Sequence, residues 1–176
     1  MERAMYWYQA FEYVRRGSVS PAQSFLKHSL VPLSLISERL AKDAIVLDLG
    51  CGEGILTNSL AERRPDCRFI GIDLDASRLA LAQRHARPNS VFHVGDIFAL
   101  DLPDKADAAI LNDVVHHHEF AKQGVLLHKV LSNLKPGGLL ILKEVDRNDR
   151  LDLKATTFFD SRLYPDDTLC FRTLDD

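Results

Sequence analysis

The sequence predicts an α/β domain, a doubly wound and mostly parallel sheet with helices on both faces. Three observations carry this. From residue 44 onward, short β-rich runs alternate with segments of helical spacing, the pattern of βαβ units. The runs Ile45-Val46-Leu47 and Leu139-Leu140-Ile141-Leu142 are continuously apolar, as strands buried on both faces are. The first run feeds a glycine-rich turn, Gly50-Cys51-Gly52-Glu53-Gly54, which opens a helix. The chain has 176 residues, 46% hydrophobic and 27% charged. That composition is globular and excludes disordered or repetitive architectures.

Residues 4–16 and 32–42 read as helices. Gly17-Ser18-Val19-Ser20-Pro21 punctuates the first, and Pro32 fits the start of the second. Ala44–Leu49 is the first strand and 55–64 the helix after the glycine turn. Arg68–Leu74 is the second strand, with Ser77–Ala86 helical behind it and Asp75 placed to cap that helix. Val91–Gly95 and Ala106–Leu111 are the third and fourth strands. Residues 119–135 carry Leu127, Val130, Leu131 and Leu134 at the spacing of an amphipathic helix. Pro136-Gly137-Gly138 is expected to stop that helix, and Leu139–Val145 is the fifth strand. The domain reading is 1–43 as an N-terminal helical cap, 44–146 as the core, and 147–176 as the start of a C-terminal segment.

Lys and Arg total 22 against 25 Asp and Glu, a net charge of −3. Such a balance offers no general attraction to nucleic acid or to an anionic membrane. No run of about 18 apolar residues is present. Three cysteines without metal-ligand spacing, and an N-terminus without an apolar signal core, point to a reducing, cytoplasmic setting. No metal site is expected, and the oligomeric state is not readable.

In open parallel sheets, ligands bind beyond the carboxyl ends of the strands, and here those ends are polar. The first runs Asp48-Leu49-Gly50-Cys51-Gly52-Glu53-Gly54, where glycines allow tight turning and close approach to a ligand. A dinucleotide fingerprint needs glycine at its sixth position, and Ile55 stands there. Asp48 would repel a pyrophosphate and attract a cationic group. The second strand ends at Asp73, followed by Leu74, and Asp73 falls 23 positions after Gly50, near the spacing of a carboxylate that binds ribose hydroxyls. The third ends Gly95-Asp96-Ile97, and the fourth Asn112-Asp113-Val114-Val115-His116-His117-His118.

Val46 to Gly54, Gly71-Ile72-Asp73, Gly95-Asp96-Ile97, Asn112 to His117 and Leu134-Lys135-Pro136-Gly137-Gly138-Leu139 resemble, in order and spacing, the motifs of class I S-adenosylmethionine-dependent methyltransferases. The resemblance spans about residues 44–146. It implies a Rossmann-like sheet with N-terminal helices forming a lid over the cofactor. It also implies two last strands, six and seven, for which this sequence has no counterpart. The loop of Gly50, Cys51, Gly52 and Gly54 would pass against the methionine moiety and ribose, and Asp48 would face the methionine ammonium. Asp73, with Leu74 beside it, would hold the ribose diol. Asp96 and Ile97 would clasp adenine, and Asn112 would lie where a backbone carbonyl meets the ammonium.

The reaction implied is in-line methyl transfer to a small organic acceptor, with S-adenosylhomocysteine as the product. The alternative is a turnover-deficient binding module acting with a partner protein. His117 and His116 are the candidates for a general base, since histidine titrates near neutrality. Adjacent residues point in different directions, so only one or two of the three histidines can face the crevice. Tyr6, Tyr13 and Arg147 are candidates for the acceptor pocket. Lys143 to Arg147 and Phe171-Arg172-Thr173 faintly resemble a branch found with lipid- or polyketide-type biosynthesis.

Overall fold

The computed structural model describes residues 31–163 and 168–173. The expected helix over 4–16, with Tyr6 and Tyr13, lies outside the described residues. Five parallel strands run in the order β3-β2-β1-β4-β5. They are β1 (Ile45–Leu49), β2 (Arg68–Asp73), β3 (Ser90–Val94), β4 (Ala106–Asn112) and β5 (Leu134–Lys143). The helices are α1 (Leu33–Arg39), α2 (Ile55–Arg63), α3 (Ala76–Arg84), α4 (Phe120–Ser132) and α5 (Arg150–Leu163). Short 3₁₀ turns follow β3 at Ile97–Ala99 and β4 at Val115–His117. The strand order reverses beside β1, which places the ligand crevice between the ends of β1 and β4.

The continuous apolar strands are buried on both faces, with successive side chains alternating between two cores. Val46, Ala108 and Ile110 pack with Leu33, Ile36, Leu56 and Leu60 beneath α1 and α2. Leu47, Leu49, Ala109 and Leu111 pack with Leu126 and Val130 beneath α4. The same alternation turns Asp48 toward α2, where Thr57 meets it. No helix among the described residues is long and apolar enough to cross a membrane.

Three local expectations need correction. The second predicted helix covers only Leu33–Arg39, because the Arg64 guanidinium captures the carbonyls of Ser37, Leu40 and Ala41 at 2.6–2.8 Å. Pro136-Gly137-Gly138 does not stop α4. Asn133 does, donating to Lys129 O and Leu100 O and accepting from the Leu102 N–H. The fifth strand then starts at Leu134 opposite Ala106 and ends at Lys143. Its register jumps to Leu139 opposite Ala108, so Pro136-Gly137-Gly138 bulges out of the ladder, with Gly137 at φ 77°. After a turn over 147–149, α5 supplies a helix that the sequence pattern did not single out.

Candidate functional site

The strand ends open onto one cavity of about 570 Å³, within the range of small-molecule sites. Asp48, Gly50, Cys51, Asp73, Leu74, Asp96, Ile97, Asn112 and His117 of the sequence-based candidates line it. Gly52, Gly54, His116 and Arg147 are not on its wall. Arg147 is exposed, and its N–H donates to Arg172 O. Arg78 and Phe98 line the cavity without having been singled out, and so do Asp113, Val114 and His118 from the polar run that the sequence places after the fourth strand.

The glycine loop is shaped as much by its neighbours as by any ligand. Gly50, Gly52 and Gly54 all have positive φ, a region costly for other residues. A Cβ on Gly54 would stand 2.6 Å from Ala82 Cβ and 2.7 Å from Phe92 Cε1, so this glycine lets α2 start close against α3 and β3. Over Gly52 lies the Arg78 guanidinium. The loop is fastened to β2, with Gly50 and Cys51 donating to Ile72 O and the Gly52 N–H donating to Asp73 Oδ2 at 2.7 Å. Asp73 Oδ1 accepts from the Asp75 N–H at 2.9 Å, and Asp75 caps α3 as its position predicted.

Asp48 is 2% exposed. Burial pushes its carboxyl up, the Thr57 hydroxyl bonded at 2.5 Å pulls it down, and the Asp73 charge adds to the rise, leaving it at about 6. Burial and the carboxylates of Asp48 and Asp73 push the Cys51 thiol far up, so Cys51 is no nucleophile. Asp96 is exposed, and its Oδ1 accepts from the Phe98 N–H at 2.9 Å. Phe98 packs edge-on against His118, their rings 5.1 Å apart, at the same end of the cavity.

The turn after β4 is held by partners far away in the chain. Asp113 sits at φ 56°, and the Lys143 ammonium reaches both of its carboxylate oxygens at 2.7 Å. Glu144 Oε1 accepts from the N–H groups of Val114 and Val115 at 2.9 and 2.7 Å. Glu144 Oε2 meets His116 Nδ1 at 2.5 Å, while His116 Nε2 meets Asp160 Oδ2 at 3.1 Å. Burial alone would push His116 down, but its bonds to Asp160 and Glu144 hold it up at about 9. Phe171 stacks on its ring at 4.8 Å, and the Cys170 N–H donates to His116 O.

Among the described residues, two groups of side chains have ligand atoms close enough to share a divalent cation. They are His116, His117 and Asp160, and Asp113, His116 and Glu144. Both use His116, whose two nitrogens already face carboxylates, so a cation would have to displace a proton there.

The cavity's fit to a methionine nucleoside rests on one unsatisfied atom. Asn112 Oδ1 is buried at the wall with no hydrogen-bond partner among the described residues, and such an acceptor is costly unless a ligand donor meets it. Asp48 shares that wall. Together they suit the ammonium group of a methionine moiety.

Comparison with known proteins follows the same line. A family model described as a methyltransferase domain matches residues 40–170. The ubiquinone biosynthesis O-methyltransferase of Bradyrhizobium diazoefficiens is 31% identical over 58% of this chain and 40% of its own length. The malonyl-[acyl-carrier protein] O-methyltransferase of Bacillus cereus is 30% identical over 84% of this chain and 53% of its own. The chain thus spans about half or less of these curated relatives. An O-methyltransferase family 2 protein from Planctomyces limnophilus, solved with apigenin, shares the fold at a TM-score of 0.69 and 21% identity, over 88% of this chain and 50% of that one. By family match and fold, the chain belongs to the class I S-adenosylmethionine-dependent methyltransferases.

Proposed function

We propose that this chain binds S-adenosylmethionine and transfers its methyl group to a small organic acceptor, releasing S-adenosylhomocysteine. The observation that carries this reading is the convergence of Asp48, Asp73, Asp96 and Asn112, from the ends of four adjacent strands, on one cavity. When bound, the cofactor supplies an electrophilic methyl group on a sulfonium, and the protein supplies position and electrostatics. Asn112 Oδ1 and Asp48 receive the ammonium. Asp73, its carboxylate already aimed by Gly52 and Asp75, accepts from the ribose hydroxyls. Asp96 accepts from the adenine amino group, and Ile97 with Phe98 covers the ring. Holding donor and acceptor in line is worth up to roughly 7–11 kcal/mol of the barrier.

The acceptor enters on the side of His117 and His118. The names of the curated relatives, a quinone-pathway enzyme and one acting on a carrier-bound malonyl group, support a small organic acceptor, as does the acidic balance of the chain. Incubation with methyl-labelled donor and a small-molecule metabolite extract tests the reading. Label is expected in the small-molecule fraction. Donor binding without any label transfer, across extracts of varied origin, would leave a binding module in place of an enzyme.

A further inference from the structure

The turn after β4 has two halves with separate fastenings. The first half is tied to β5 and its end, where Lys143 holds Asp113 and Glu144 holds the N–H groups of Val114 and Val115. The second half carries His117 and His118 to the cavity wall, and Gln123, in the first turn of α4, grips it. Gln123 is 1% exposed, and its Nε2 donates to His118 O at 2.9 Å.

The same amide reaches far forward in the chain. Gln123 Nε2 also donates to Cys170 O at 2.8 Å, and its Oε1 accepts from Arg172 Nε at 2.5 Å. A guanidinium only donates and a carbonyl only accepts, so these partners settle which way the amide faces. Cys170 and Arg172 belong to the segment 168–173, whose other bonds run to the loops around the site. The Cys170 N–H donates to His116 O at 2.7 Å, Phe171 stacks on the His116 ring, and Arg172 O accepts from the Arg147 N–H beyond β5. The Arg172 guanidinium also lies over the Phe120 ring, 5.0 Å from its centre. An apolar side chain would fill the buried position of Gln123 with no amide to desolvate. The amide instead joins the turn to residues 47 and 49 positions further on.

We infer that Gln123 is a positioning residue for the acceptor side of the site. It fixes the His117–His118 half of the turn against segment 168–173, and so sets where those two side chains stand relative to the donor methyl. The Asp113–Val115 half, next to Asn112, keeps its own fastenings to Lys143 and Glu144. Loss of the Gln123 amide therefore disturbs acceptor alignment and spares cofactor binding. A misplacement of about 1 Å at the reacting atoms costs up to about 10²-fold in rate. The inference rests on the methyl-transfer reading above, because it assigns Gln123 to the acceptor side of that reaction.

The test compares the full chain with its Gln123→Met variant, similar in volume and without N–H donors. Methyl-label transfer to a metabolite extract should fall by about 10–100-fold, while S-adenosylhomocysteine affinity in calorimetry stays within about twofold. The His117 and His118 ring signals in a ¹H–¹³C spectrum, assigned with His117→Gln and His118→Gln, should shift or broaden. Asn133→Ala cuts the buried clamp at the other end of α4 and controls for lost stability alone. Assayed below its unfolding range, it should transfer label as the wild type does. Arg172→Met, at an exposed position, should lower transfer in the same direction but by less, and it decides if Gln123→Met fails to fold. Unchanged transfer, transfer and affinity falling together, an equal loss in Asn133→Ala, or unmoved histidine signals would overturn the role. A wild type that binds S-adenosylhomocysteine but transfers no label overturns the methyl-transfer reading instead, and the histidine signals then decide whether Gln123 holds the turn.

Discussion

Asp48→Asn should stabilise the fold at neutral pH while weakening ligand binding. The Asp48 carboxyl lies at about 6 in the folded protein against a reference of 3.8, so between those values the folded state holds more protons than the unfolded chain. Stability therefore falls as pH rises through this window and levels off above it. About two units at ~1.4 kcal/mol each give roughly 3 kcal/mol of destabilisation at pH 7.5. Asparagine keeps an acceptor for the Thr57 hydroxyl but adds an amide donor that must find a partner, at a cost of about 1–2 kcal/mol. The net expectation is a variant more stable by roughly 1–2 kcal/mol at pH 7.5, with the gain gone or reversed near pH 4. Urea unfolding of both proteins at pH 4, 6 and 7.5 measures this. If the variant is less stable by the same amount at all three pH values, Asp48 is not held against a desolvation cost, and the electrostatic account of the site is wrong.

Other perturbations reach the rest of the account. Asp73→Ala removes the acceptor for the Gly52 and Asp75 N–H groups and for the proposed ribose contact, so S-adenosylhomocysteine affinity in calorimetry should fall by about 1–3 kcal/mol. Gly54→Ala places a Cβ against Ala82 and Phe92 at positive φ; denaturant unfolding should show a loss of about 1–3 kcal/mol. Arg64→Met strips three carbonyls at the end of α1 of their donor. It should lower unfolding stability by roughly 1–3 kcal/mol and speed amide exchange in α1 ahead of the sheet.

The parts of the site legible in the sequence are those fixed by local rules. Asp48, Asp73, Asp96 and Asn112 could be placed at strand ends because the strands announce themselves as apolar runs and the end of a strand follows from its length. Asp75 as a helix cap needed only its next three residues. Gly54 was legible as a turn residue but not as a packing site, since Ala82 and Phe92 come from later elements. Glu144 and Asp160 could not be found this way. They reach His116 across 28 and 44 residues, and nothing in the neighbourhood of either carboxylate marks it as a partner for a buried ring. Nothing local to Arg78 in the helical run 77–86 marks it, and only the bare backbone of Gly52 lets its guanidinium lie over the loop. The expected end of α4 went astray because Pro136-Gly137-Gly138 is a strong breaker by composition, while Asn133 had already satisfied the helix end from its side chain.

The most direct measurement of the central claim is isothermal titration calorimetry of the full chain with S-adenosylhomocysteine, S-adenosylmethionine and NAD in parallel. The predicted result is one-site binding of both methionine nucleosides, weakened by Asp73→Ala and by Asn112→Ala, with NAD weak or silent. Binding of NAD in preference to either methionine nucleoside, or binding of the nucleosides that neither substitution disturbs, would contradict it.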